Sequence, residues 1–110
     1  MIKQAEQSPR IENGVIRWYY GDTFKLELEL EFTNDNGDIV NIQPTDEISI
    51  SFKNHRDTVI YENTFNTNTI TLDMTEELSQ KFKVGEYYYT VKLNSEYITT
   101  LMKNNKVVVE

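Results

Sequence analysis

The sequence predicts an all-β sandwich of seven or eight antiparallel strands with one short helix, and three observations carry that prediction. The first is the stretch from Thr23 to Thr33. Phe24, Leu26, Leu28, Leu30 and Phe32 occupy every second position there, and Lys25, Glu27, Glu29 and Glu31 fill the gaps. Successive side chains of a strand point to opposite faces, so one face is apolar and the other charged. A helix would scatter the same charges around its cylinder. The second observation is that the period of two recurs from Glu47 to Lys53, from Thr69 to Met74 and from Tyr87 to Leu93, with turn residues between. The third is composition. Seven Tyr and five Phe help to bring aromatics to 12% of the chain, and these types suit a pleated, half-buried surface.

In chain order, residues 1–12 are polar and carry Pro9 near their end. They are expected to form a flexible lead, or to order only on a neighbour. The domain proper is expected over residues 13–110. Gly14 opens a strand in which Ile16, Trp18 and Tyr20 share a face assigned to the core. Gly21-Asp22 turns the chain into the long alternating strand. Asn36-Gly37 suits the centre of a two-residue hairpin turn, because both positions tolerate positive φ. Ile39 to Ile42 then returns, and Pro44 ends the pairing, since it has no N–H to give to a ladder.

Ile48, Ile50 and Phe52 form the inner face of the next strand, and Asn54 to Asp57 makes a polar turn. A strand from Thr58 to Phe65 leads through Asn66-Thr67-Asn68 to Ile70, Leu72 and Met74. Thr75 then stands as a helix N-cap before Glu76 and Glu77, with Leu78 and Phe82 four apart. One or two helical turns are expected there, crossing between sheets. Tyr87, Tyr89, Val91 and Leu93 make a further apolar face, and Asn94-Ser95 a hairpin turn. The last strand, Tyr97 to Val109, is interrupted at Lys103 to Lys106, where a bulge or a change of sheet is expected. The predicted core is Phe24, Leu26, Leu28, Leu30, Ile48, Ile50, Phe52, Leu72, Tyr87, Tyr89 and Val91. On this reading Leu28→Glu unfolds the protein, and Glu29→Gln changes its stability by less than about 0.5 kcal/mol.

A chain of 110 residues suits one core without staples. Cysteine is absent, which removes disulfides, a thiolate nucleophile and cysteine metal sites. The net charge of −7 repels phosphate backbones, so no nucleic-acid partner is expected. No apolar run approaches membrane-spanning length, and the first ten residues lack the apolar centre of a signal peptide.

Chemistry for catalysis is sparse. His55 is the sole histidine and falls in a polar turn, without the orienting partner and nucleophile a catalytic histidine needs. The Asn34 to Asp38 stretch lacks the first acid and the closing Glu of a calcium loop. Glu27, Glu29 and Glu31 on one strand face read as a solvated face that blocks aberrant pairing, not as paired catalytic carboxylates. No catalytic residue, metal site or cofactor is expected. Adjacent aromatics on a strand cannot all point inward, so Tyr19 and Tyr88 are candidates for exposure. Together with Trp18, at a strand end beside Gly21, they are the candidate protein-interface residues, because aromatics dominate desolvated contact centres. Exposed Tyr also suits a sugar platform.

Gly21-Asp22-Thr23-Phe24, Asp35-Asn36-Gly37-Asp38, Glu47 to Lys53, Tyr61 to Phe65, Ile70 to Glu77, Val84 to Val91 and Leu101-Met102-Lys103 follow one another in a familiar order. With them, residues 21–110 resemble the immunoglobulin-like domain at the N-terminus of phage upper baseplate proteins and related small tail domains. Where members often carry Asp-Leu-Thr-Gly after the hairpin, this chain has Asn41 to Thr45. The resemblance implies an immunoglobulin-like sandwich in which Tyr87 anchors the strand after the helix. It also implies a non-enzymatic structural part of a virion, made in the host cytoplasm. Partners would be other tail or baseplate proteins or copies of the chain itself, with no nucleic acid or membrane involved. A carbohydrate-binding or adhesion module is the alternative.

Overall fold

The computed structural model describes residues 9–33, 36–40 and 45–110. Strand β1 (Arg10–Glu12) turns through Asn13 and Gly14, at φ of 52° and 80°, into β2 (Val15–Trp18). Then come β3 (Phe24–Glu29), β4 (Phe32–Thr33), β5 (Ile39–Val40), β6 (Glu47–Asn54), β7 (Val59–Phe65) and β8 (Thr69–Met74). Helix α1 (Glu76–Ser79), β9 (Gly85–Asn94) and β10 (Ile98–Val109) complete the order. A six-stranded sheet runs β1-β2-β10-β9-β6-β7, β3 pairs with β8 in a second sheet, and β4 with β5 forms a separate hairpin. Seven of these strands have four residues or more. The protein is an all-β sandwich with one tiny helix.

The core lies between the large sheet and β3–β8. Ile48, Ile50 and Phe52 of β6, Val91 of β9, and Val107 and Val109 of β10 are buried against Ile70, Leu72 and Met74 of β8. Each of these nine is at most 1% exposed. The alternation of β3 is as expected, with Phe24, Leu26 and Leu28 inward and Lys25, Glu27 and Glu29 exposed. Yet its inward side chains are only half-buried. The molecule is centred on β6, β9 and β8, not on the stretch with the cleanest pattern.

Several expectations need correction. The segment from Thr23 to Thr33 is not one strand. Its ladder with β8 ends where Leu30 N–H donates to the Asn68 carbonyl at 2.8 Å, because the chain bends at 66–68 before β8 begins, and β4 then pairs anew with β5. That hairpin's last pair is Thr33↔Ile39, so five residues separate the paired positions, not the two of the expected turn. Gly37 sits among them at φ 83°, while 34–35 and the expected break at 43–44 lie outside the described residues.

Nor is every pair antiparallel. β2 runs parallel to β10 in register Val107↔Ile16 to Val109↔Trp18. The ladder closes where Glu110 N–H donates to the Trp18 carbonyl and Tyr20 N–H to the Glu110 carbonyl, both at 2.9 Å. Within the span expected as a flexible lead, residues 10–12 form β1, and 1–8 lie outside the described residues. Arg10 and Arg17 are opposed across β1 and β2, and acids relieve the repulsion. Arg10 binds Glu12 at 2.7 Å and Glu110 at 2.8 Å, and Arg17 binds Glu110 at 3.3 Å. Finally, Tyr20 is 42% exposed and not in the core. The strand ends at Trp18, and a turn closed by Asp22 N–H to the Tyr19 carbonyl redirects it.

α1 is a single turn that carries the chain from the small sheet to the large one. Thr75 Oγ1 accepts the Leu78 N–H at 3.2 Å, and the Ser79 hydroxyl donates to the Glu76 carbonyl at 2.7 Å. Thr75→Ala is expected to lower stability by about 1 kcal/mol, as loss of an N-cap does, measured by urea unfolding. The interruption in the last strand is a bulge within one sheet. The β10–β9 register shifts between Thr100 and Met102 and again before Asn105, with Asn104 at φ 54°.

Candidate functional site

Of the three predicted interface residues, Trp18 is withdrawn. It is fully buried, with ring centroids 5.4 Å from Phe24 and 5.5 Å from Phe82. Its place at the end of β2 falls under the α1–β9 corner, where Phe82 closes over it, so its role is in the core. Tyr19 is half-buried at the turn after β2, and the Arg10 guanidinium lies 5.7 Å from its ring centre. Tyr88 is half-buried on β9. Tyr19 follows β2 and Tyr88 lies on β9, with β10 between those two strands.

Tyr88 sits in a cationic row on the outward face of the large sheet, opposite Lys53 on one side and Lys106 on the other. Lys106 is ion-paired to Glu86 at 2.8 Å, and that hydrogen bond holds its ammonium pKa above the ordinary value. Lys53 lies 3.4 Å from Asp57. An open pocket of about 180 Å³ beside Tyr88 is lined by Lys53, Asn54, His55, Asp57 and Asn104. Its rim is ordered by Asn54 Oδ1, which accepts the N–H groups of Arg56 at 2.9 Å and Thr58 at 3.0 Å. His55 is an exposed turn residue, and no hydrogen-bond partner holds its ring among the described residues. Nothing in this pocket assembles a nucleophile with an oriented base.

A second feature escaped the sequence reading. Tyr97 and Ile98, at the tip of the β9–β10 hairpin, are 74% and 73% exposed. Ser95 shapes this tip, its N–H and hydroxyl both donating to the Tyr97 carbonyl at 3.1 and 3.2 Å. The available signal was two large side chains in succession, one residue past the turn pair Asn94-Ser95, where one of them must face away from the core.

The corner ahead of β9 is built by Tyr87. Its hydroxyl donates to the Lys83 carbonyl at 2.8 Å, and its ring meets Phe82 edge-on at 5.1 Å. Burial raises the Tyr87 hydroxyl pKa above the usual value, against the lowering effects of the Lys83 backbone and charge. Burial also raises Tyr89, with a hydrogen bond from Asn105 opposing it. Both folded-state values lie above the unfolded one, so the native state holds these protons more tightly. The stability is intact below pH 10 and is lost as pH climbs through the raised values. Denaturant melts are expected to show a fall above about pH 10, and Tyr87→Phe with Tyr89→Phe should make that fall shallower.

Among the described residues no group of three or more His, Asp or Glu could hold a metal ion, and no helix is long and apolar enough to cross a membrane. No family model, curated protein or solved structure matches this chain.

Proposed function

We propose that this chain is a non-enzymatic structural module of a phage or prophage tail. It is read as an immunoglobulin-like sandwich that works by packing against tail or baseplate proteins or copies of itself. The observation that carries an assembly role is the β9–β10 tip, where two adjacent large side chains, Tyr97 and Ile98, are about three-quarters exposed. Exposed aromatic and aliphatic side chains at one tip suit a contact that buries them. Tyr88, in its cationic row, offers a second anchor. The immunoglobulin-like reading is supported by Tyr87, whose bond to the backbone four residues upstream is the corner contact of such sandwiches. The phage setting, and with it a place in the virion, rests on the resemblance of residues 21–110. Co-purification with the products of neighbouring genes tests the reading. Tail proteins are expected to be retained by the wild type and lost with Tyr97→Ser and Ile98→Ser. Retention that ignores both substitutions removes the tip from the contact, and a metabolic gene neighbourhood removes the phage setting.

The pocket beside Tyr88 favours a second reading, a carbohydrate-binding module. An aromatic ring flanked by Asn54, Asp57 and Asn104 offers a stacking face with polar groups beside it. Glycan-array binding lost on Tyr88→Ala would support this, and a flat array would dismiss it.

A further inference from the structure

Among the described residues the small sheet has only two strands, so β3 and β8 are both edges. β3 pairs with β8 from Phe24↔Met74 to Glu29↔Thr69, and Leu30 N–H extends that ladder to Asn68. Hydrogen-bonded and non-hydrogen-bonded pairs alternate along an antiparallel ladder. The bond at Leu30 therefore assigns Phe24, Leu26 and Leu28 to the bonded pairs. Lys25, Glu27 and Glu29 turn their N–H and C=O groups away from β8, and among the described residues no strand takes them. Side-chain burial marks the same side. Phe24, Leu26, Leu28 and Leu30 are half-covered, while Ile70, Leu72 and Met74 opposite them are at most 1% exposed. Beside this edge an open slot of about 200 Å³ lies between the sheets, lined by Leu28, Leu30, Ile70, Tyr89, Val91 and Met102.

We propose that the β3 edge accepts an extended segment of a partner protein in which apolar residues alternate with Lys or Arg. The free peptide groups of Lys25, Glu27 and Glu29 would bond the added strand, as in β-strand addition. Its inward residues would fill the slot, and its outward residues would lie beside Glu27, Glu29 and Glu31. That row of acids selects the partner. A second copy offering the same edge would set glutamate against glutamate, which is destabilising across a strand pair, whereas opposite charges stabilise it. The inference uses a different surface from the β9–β10 tip and stands apart from the phage setting.

The test is hydrogen exchange on the full chain with a short capped peptide alternating valine and lysine. The amides of Lys25, Glu27 and Glu29 are expected to slow by about tenfold or more at saturating peptide. The same peptide N-methylated on alternate backbone amides should bind at least about tenfold more weakly, since its charge is kept but its ladder bonds are gone. A variant carrying Glu27→Lys and Glu29→Lys should exchange its preference for a valine–glutamate peptide. Equal binding of the methylated peptide, or protection confined to other amides, would overturn the proposal. So would amides that are already protected in the free protein. If light scattering then shows a dimer, the occupant is a second copy, and if deleting residues 1–8 exposes those amides, it is the chain's own N-terminus.

Discussion

Leu72→Glu is expected to abolish cooperative folding at room temperature. Leu72 is 1% exposed and stands opposite Leu26 in the small sheet, within the core cluster formed with β6 and β9. A carboxylate there loses its water without gaining a cation, and such a transfer costs several kcal/mol even when the group protonates instead. Domains of this size are stable by only about 5–15 kcal/mol, so the penalty takes most of what holds the fold. Leu28→Glu, which the sequence alone marks as equally disruptive, is expected to be milder. Leu28 is half-buried beside the open slot, and its carboxylate can turn to water. Glu29→Gln, on the exposed face of β3, should remain within about 0.5 kcal/mol of the wild type. Near-ultraviolet circular dichroism and urea melts of the three variants check the ranking. A Leu72→Glu protein that melts like the wild type would refute the packing of β8 against the large sheet.

Trp18→Ala is expected to cost about 3–5 kcal/mol, the range for emptying a buried aromatic site. The indole touches rings from two elements, Phe24 of β3 and Phe82 after α1, and Phe82 in turn meets Phe52 at 5.7 Å and Tyr87 at 5.1 Å. Its loss would loosen the corner as well as leave a cavity. Trp18→Phe should cost much less. It keeps most of the ring packing, and it removes the indole N–H, which is buried without an acceptor among the described residues. Denaturant melts of both variants measure the difference. If Trp18→Ala unfolds near the wild-type midpoint while weakening a partner contact, Trp18 belongs at an interface after all.

These two expectations show how far the amino-acid pattern reaches. The inward faces of β3, β6, β8 and β9 were legible because alternation is a property of consecutive residues. The single helical turn was legible for a similar reason, since Thr75, Glu76 and Glu77 satisfy or complement groups within one turn of themselves. The same pattern misplaced Trp18 in part. It lies on a core face by alternation, and its position at a strand end beside a glycine argued for exposure. The argument for exposure failed because Phe82, far along the chain, closes over it.

The candidate surface was legible only at Tyr88. Alternation puts Tyr88 opposite Tyr87 and Tyr89, so its outward direction follows from the sequence. The pocket beside it does not, because its walls come from β6, the turn after β6 and the bulge in β10. Tyr97 and Ile98 were placed in a strand without their exposure being foreseen, since exposure depends on what stands opposite the hairpin and not on the hairpin itself.

What the sequence by itself determined, then, was the all-β class, the direction of each side chain along the regular strands, and the helical turn with its cap. Tertiary structure alone decided which strands are neighbours. It placed β2 parallel to β10, bound Arg10 to Glu110 across the whole chain length, and left β3, among the described residues, with a strand partner on one side only. The physical reason is that a period of two states which face a residue occupies and is silent on what covers that face. Coverage is settled by pairings between distant segments, whose closure cost must be repaid by burial shared across the whole core. Phe24, Leu26 and Leu28 therefore have the clearest apolar face in the sequence and only half-buried side chains in the fold.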